Sequence, residues 1–345
     1  MEKINSIPPE TKPRIFYGYI VVAASLFIMI AFWGTRYTFG VFIDPMLDEF
    51  GWTRATISGA FSLSMALEGS LTTVVGVFTD RIGPRLVMSV CAVVLMLGFW
   101  LMSQVNELWH LYVVYGVIIG GAMSCAFVPI ISNLTRWFIA RRNFMTGIVC
   151  TGSGIGPLIG ALVANALIAS HDWRFALLIF GAGSFLIILS GAQFLRRDPA
   201  AVGQLPYGQK KDSGSTDLPG ISLKQALRNR HFWLFFACFF CFGTMIFSIM
   251  VHIVPHALDL HASPAAAAGI LSVIGAVAIA GRLIGGRMGD VIGSGRVILF
   301  GSVVMTAVMF FLAPAGEIWM LYLAAVFFGF VQASTGTVHS AYVAE

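Results

Sequence analysis

Apolar runs of similar length alternate with short polar breaks along most of this chain. Ten runs can be bounded, at residues 16–43, 54–78, 86–104, 108–135, 143–170, 174–195, 231–258, 264–286, 296–314 and 317–341. A helix crossing a bilayer needs roughly 20 mostly apolar residues, and every run is of that order. Inside hydrocarbon, backbone polar groups must be paired within the segment, so runs of this kind form helices. The pattern predicts an all-α membrane protein with about ten helices. The first run has no small-residue cleavage site and exceeds a signal-peptide core, so it is expected to stay in the membrane.

Composition agrees. The 345 residues are 58% hydrophobic and only 11% charged, with a mean hydropathy of +0.85, whereas soluble domains carry about a quarter charged residues. The Lys and Arg residues orient the chain, because cytoplasmic loops are enriched in them. With the N-terminus cytoplasmic, one side holds Lys3, Lys12, Arg14, Arg81, Arg85, Arg136, Arg141, Arg142, Arg196, Arg197, Lys210, Lys211, Lys224, Arg228, Arg230, Arg287 and Arg296. The other side keeps Arg54 and Arg174, while Arg36 and Arg282 fall within runs. The net charge of +5 is spread over loops beside lipid headgroups, which argues against a nucleic-acid partner. The five cysteines (91, 125, 150, 238 and 241) lie in predicted helices. The C-x-x-C of Cys238 and Cys241 has aromatic flanks and no second Cys/His pair nearby, so no metal site, cofactor or disulfide is expected.

The longest polar segment, Arg196–Arg230, follows the sixth run. It reads as a cytoplasmic linker between a six-helix bundle (1–195) and a second, incomplete bundle (231–345). Its Gly- and Ser-rich part, Gly208–Gly220, should be flexible. The halves repeat: Gly76, Asp80, Arg81, Gly83 and Arg85 close the second run, and Gly286, Asp290, Gly293 and Arg296 close the eighth, with an offset of 210 residues between Gly76 and Gly286. Gly76 is expected to let two helices approach, and Gly83 to permit a tight turn. Asp80 can pair with an Arg or cap a helix N-terminus in one state of a conformational cycle. These residues and their repeats are the expected gating elements.

Across essentially its whole length the chain resembles the major facilitator superfamily. Several segments are similar to its monocarboxylate porter and oxalate–formate exchanger branch: Phe39-Gly40-Val41-Phe42, Asp80-Arg81-Ile82-Gly83-Pro84-Arg85, Trp137-Phe138 with Arg141-Arg142 leading into Gly147, and His252 with Pro255-His256 followed by Ser263. The resemblance implies two pseudo-symmetric six-helix bundles working by alternating access. It also implies a monomer in the cell membrane, with an anionic small-molecule substrate and a proton or counter-anion. Relatives continue into an eleventh helix, where oxalate-type exchangers carry a functional Lys; this sequence stops at Glu345.

An ionisable side chain inside a membrane helix is costly and marks function by default. Arg282 lies eight residues before Asp290, so ~12 Å along a helix rising 1.5 Å per residue. In the related porters an Arg of this helix holds the substrate carboxylate; the alternative is an Arg reaching for the interface. Glu68 lies twelve residues before Asp80, and its repeat position is Ala278, where many animal porters have an acid. Glu68 is therefore the candidate for proton coupling, since burial can raise a carboxylate pKa into the physiological range; otherwise it pairs with Arg36. Arg36 and Tyr37, beside Trp33, and His252, His339 and Phe127 complete the candidate substrate contacts, Phe127 standing where many relatives have Tyr. The run Gly152-Ser-Gly154-Ile-Gly156-Pro157-Leu-Ile-Gly160 either packs helices through small residues or resembles a motif of proton-coupled drug exporters. The chain has no Walker loop, G-x-S-x-G or H-E-x-x-H. The expectation is transport of a small organic anion rather than catalysis. Drug or neutral-metabolite antiport and a non-transporting sensor are the alternatives.

Overall fold

A computed structural model describes residues 16–209 and 223–342. Among them are ten helices long and apolar enough to cross a membrane. They are α1 (Gly18–Phe50), α2 (Arg54–Ile82), α3 (Pro84–Met102), α4 (Leu108–Trp137), α5 (Arg142–Ser170), α6 (Trp173–Phe194), α7 (Arg230–Asp259), α8 (Pro264–Ile292), α9 (Ser294–Leu312) and α10 (Ile318–Tyr342). Several outrun the apolar pattern. α1 continues two turns past residue 43, through Pro45, to a left-handed Gly51 with φ 66°. Its polar end is held by Asp44 to Arg54, and by Glu49, which accepts from Trp173 Nε1 at 2.7 Å and Arg174 at 2.6 Å.

The expected uninterrupted fourth helix is broken. α4 winds as a π-helix over Tyr112–Ile119 and leaves helical geometry between Met123 and Val128. There Cys125 and Ala126 bond back to Ala122 and Met123 in tight turns. Ala122 also accepts from the thiol of Cys91 on α3 at 3.0 Å, which offsets the lost helical pairing.

The 210-residue offset between the halves extends down to single hydrogen bonds. α2 and α8 are each 29 residues, and α3 and α9 each 19. Thr53 caps α2 and Ser263 caps α8, each accepting from the amide three residues on at 3.2 Å. Tyr112 donates to the Thr56 carbonyl at 2.9 Å and Tyr322 to that of Ala266 at 2.8 Å. Trp109 bonds Glu107, and Trp319 bonds Glu317, both at 2.6 Å. A single glycine turns each helix pair, Gly83 at φ 88° and Gly293 at φ 92°, where a side chain would be strained.

One apolar core joins α1–α6, around Ile28, Phe32, Leu95 and Trp137, and another joins α7–α10, around Phe242, Ile249, Ile274 and Phe328. Close contacts inside each half use small residues, as expected where lipid removes the hydrophobic drive. A Cβ on Gly156 would stand 2.7 Å from the Gly34 amide of α1, and one on Gly160 2.7 Å from the Gly34 carbonyl. In the other half, Ser334 of α10 donates to the Gly281 carbonyl of α8 at 2.9 Å.

The start of the linker is bonded to the end of α4. Tyr207 pairs with Phe138 in a parallel bridge, its amide donating to the Trp137 carbonyl at 2.8 Å and its carbonyl accepting from Ile139 and Ala140 at 3.0 Å. Most of the Gly- and Ser-rich run lies outside the described residues.

Candidate functional site

The halves interlock at the end of the bundle that carries the linker. There α5 begins at Arg141, in the left-handed region at φ 63° and with no side-chain cap. Its first free amides are met from the other half. The Asp290 carboxylate accepts from Asn143 N–H at 2.9 Å and Phe144 N–H at 3.0 Å, while the Asn143 amide donates to Ser294 at 3.2 Å. A carboxylate at a helix N-terminus satisfies orphan donors and complements the helix dipole. Glycine permits the approach: a Cβ on Gly286 would lie 2.6 Å from the Asn143 carbonyl oxygen and 3.0 Å from the Phe144 Cα. One on Gly147 would strike the Arg282 carbonyl.

The first repeat copy behaves differently. Asp80 pairs within its own half, with Arg136 at 2.8 Å, and Arg136 reaches Asp198 at 3.5 Å. Arg85 bonds Gln193 at 2.9 Å. Arg81, Arg287 and Arg296 are exposed. Gly76 does not meet a close helix here, for a Cβ there would make only an ordinary 3.5 Å contact with Val128. Its counterpart Gly286 does have the expected tight neighbour.

Deeper in the membrane, Arg36 meets Glu68 and Tyr37, and Arg282 lies at a similar depth. Arg282 leaves α8 at the level of Gly147, but its Nη1 lies 2.8 Å from where a Cβ on Gly154 would stand. Those glycines are seven residues apart on α5, so the guanidinium extends about 10 Å away from the linker end. This is the direction helical side chains favour on α8, toward its N-terminus. It is opposite to a side chain reaching for the linker-side surface. Nη1 is buried and has no hydrogen-bond partner. The glycine run of α5 is thereby accounted for: Gly152, Gly156 and Gly160 pack on α1, and Gly154 leaves room for Arg282.

At the same depth, two residues beyond the Gly34–Gly156 contact, Arg36 forms an ion pair with Glu68, the midpoint of α2. The side chains of the pair are 10% and 21% exposed. The Arg36 guanidinium also lies over Trp33 at 5.2 Å and Tyr37 at 5.9 Å, and those rings stack at 5.6 Å. Arg36 Nε and Trp33 Nε1 are buried without partners. Tyr37 itself is 52% exposed.

No hydrogen bond, ion pair or ring contact joins the other candidates to this group. Phe127 sits at the break in α4 and packs on the first core. His252 is exposed on α7. His339 is buried among Phe235, Phe239 and Phe242, centroids 5.1–5.7 Å away, with Nδ1 against the Thr335 carbonyl at 2.9 Å.

The charges also mark where the internal repeat fails. The positions 210 residues from Arg36, Glu68 and Arg282 are Ile246, Ala278 and Thr72. Capping, turning and packing residues recur in both halves; these ionisable ones do not. The sequence reading missed Trp33 and Gly154 as site residues, and the α5 amides that Asp290 grips. The first two carried a weak signal in their spacing, and main-chain amides carry none.

The sequence profile described as Major Facilitator Superfamily matches residues 22–345. Monocarboxylate transporter 13 of Bos taurus is 28% identical over 306 residues, covering 87% of this chain and 68% of the relative. Monocarboxylate transporter 11 of Homo sapiens is 27% identical over 286 residues, covering 82% of this chain and 58% of the relative. Among solved structures, the proton:xylose symporter XylE bound to 6-bromo-6-deoxy-D-glucose superposes with a TM-score of 0.70 at 14% identity, over 95% of this chain and 82% of that one.

Proposed function

The chain belongs to the Major Facilitator Superfamily, a family of membrane transporters, and from that premise we propose that it moves small organic anions, monocarboxylates above all, by alternating access. The observation that carries this reading is Arg282: a guanidinium deep between the halves whose buried Nη1 has no acceptor. A buried cation without a partner is expensive, and a carboxylate matches its planar fork. The similarity to monocarboxylate transporters points to the same substrate class. With the N-terminus cytoplasmic in the cell membrane, the interlock of α5 with α8 closes the cytoplasmic side, and the site faces outward. Glu68, the candidate proton site, is engaged by Arg36 in this state, so proton binding there requires the pair to open.

The test is uptake of labelled lactate, pyruvate, formate and oxalate into proteoliposomes carrying the full-length gene product. Arg282→Lys keeps the charge but loses the fork. Losing a charge-assisted pair costs about 1.5–3 kcal/mol, on the order of a ten- to hundredfold loss of affinity. Arg282→Gln should be worse, with membrane abundance unchanged in both. Near-normal affinity in Arg282→Gln, or counterflow of a cationic drug with no carboxylate uptake, would overturn the proposal.

A further inference from the structure

Three ionisable side chains lie at this depth: Arg36 and Glu68, which are paired, and Arg282, whose Nη1 lies against Gly154 of α5, two residues before the Gly156 that packs on Gly34. Among these three groups one cation is in excess. The two arginines are unequally served. Arg36 is held by Glu68 and two aromatic faces, whereas Arg282 Nη1 has no acceptor. Arg36 and Glu68 occur together in one half and are both missing, as Ile246 and Ala278, from the other. The acid and base of the first half thus form a self-contained unit beside a lone cation from the second.

We infer that Glu68 sets the charge of the substrate: while its pair with Arg36 is closed it fills Arg36 as an internal carboxylate, leaves Arg282 as the one vacant cationic place, and so makes the site select monoanions over dianions. This rests on the carboxylate-transport reading above. The physical basis is the poor tolerance of a low-dielectric cavity for net charge. A monoanion on Arg282 brings the group of charges to zero, and a dianion leaves it at minus one, with its second carboxylate beside Glu68. Removing the Glu68 charge inverts the count. Two guanidinium groups are then left without an internal carboxylate, a dianion neutralises both, and a monoanion leaves one uncompensated.

Pyruvate and oxalate test this, being similar in size and carrying one and two charges at pH 7. Each competes with labelled pyruvate for uptake into proteoliposomes carrying the full-length gene product. Each is also assayed for thermal protection of the purified protein, which needs no transport cycle. The wild type should favour pyruvate by at least ~tenfold, the order of one uncompensated charge contact. Glu68→Gln should shift the ratio by at least ~tenfold toward oxalate. The double variant Arg36→Gln/Glu68→Gln, which restores the single excess charge, should favour pyruvate again. That variant also keeps the test decisive if the single one fails to fold, because oxalate selectivity in it contradicts the count. A pyruvate-selective wild type whose Glu68→Gln variant keeps that selectivity overturns the inference alone. A wild type that recognises neither anion overturns the carboxylate reading and the inference with it.

Discussion

Replacing Asp290 with alanine should open the linker-side gate without unfolding the protein. The carboxylate gives the first turn of α5 two acceptors across the interface, for Asn143 N–H at 2.9 Å and Phe144 N–H at 3.0 Å, and α5 has no side-chain cap of its own. Loss of a helix N-cap costs about 1 kcal/mol. Loss of a negative charge at a helix N-terminus costs about 0.3–1 kcal/mol, rising to about 2 where partly buried. Together these remove roughly 2–3 kcal/mol from the interlocked state alone, because the contact spans the halves. An equilibrium then shifts on the order of 30- to 150-fold, enough to make a minor open state the major one. Spin labels at Ile139 and Val291, both exposed and flanking the interlock, should report a longer-distance population that grows in Asp290→Ala. Asp290→Asn, which keeps an acceptor oxygen, should lie between it and wild type. Asp80→Asn is the control, since its pair with Arg136 lies within one half with side chains 64% and 33% exposed, a kind of pair worth about 0.2–1 kcal/mol. An unchanged distance distribution in a folded Asp290→Ala protein would refute the latch.

Gly286→Ala should open the same gate by overlap, since its Cβ would lie 2.6 Å from the Asn143 carbonyl oxygen. Overpacking of this kind costs about 1–3 kcal/mol, and the same label pair should show the longer distance; a closed distribution would mean that α8 can shift to make room. Arg36→Gln should destabilise the fold by about 2–4 kcal/mol by stranding the Glu68 carboxylate. That lies near the lower end of the range for breaking a buried pair, because the Glu68 side chain is 21% exposed. Arg36→Gln/Glu68→Gln should recover most of the loss in thermal melts of purified protein, and an equal loss in both variants would show that the pair contributes packing rather than charge balance.

The number and order of spanning helices were legible because hydrocarbon leaves one solution for a long apolar run. Their ends were not, because the pattern measures the thickness of the apolar layer and not the length of the helix. The last turns of α1 are polar and stay helical through tertiary bonds to Arg54, Trp173 and Arg174, partners far away in sequence or beyond the apolar edge. The break in α4 was equally hidden, for Ser124, Cys125, Ala126 and Phe127 carry no charge and include neither Gly nor Pro, and its compensating bond comes from Cys91 on another helix.

At the site, charge was the readable signal and geometry the unreadable one. Arg282, Glu68 and Arg36 stood out because each is an ionisable letter in an apolar run. The sequence left Glu68 open between proton site and ion pair, and contact with Arg36 is a fact about how α1 lies on α2. Gly76 and Gly286 show the limit most clearly. They hold the same place in the repeat, yet only Gly286 abuts another backbone, that of Asn143 and Phe144. Likewise Asp80 and Asp290 are the same letter at the same place, one bound to an Arg of its own half and the other to amides across the interface. A pseudo-symmetric sequence must break symmetry in space to be closed at one end and accessible at the other. In this structure Asp290 and Gly286 take part in that break by meeting the other half. The charges that have no counterpart in the repeat, Arg36, Glu68 and Arg282, stand outside that pairing of equivalent positions.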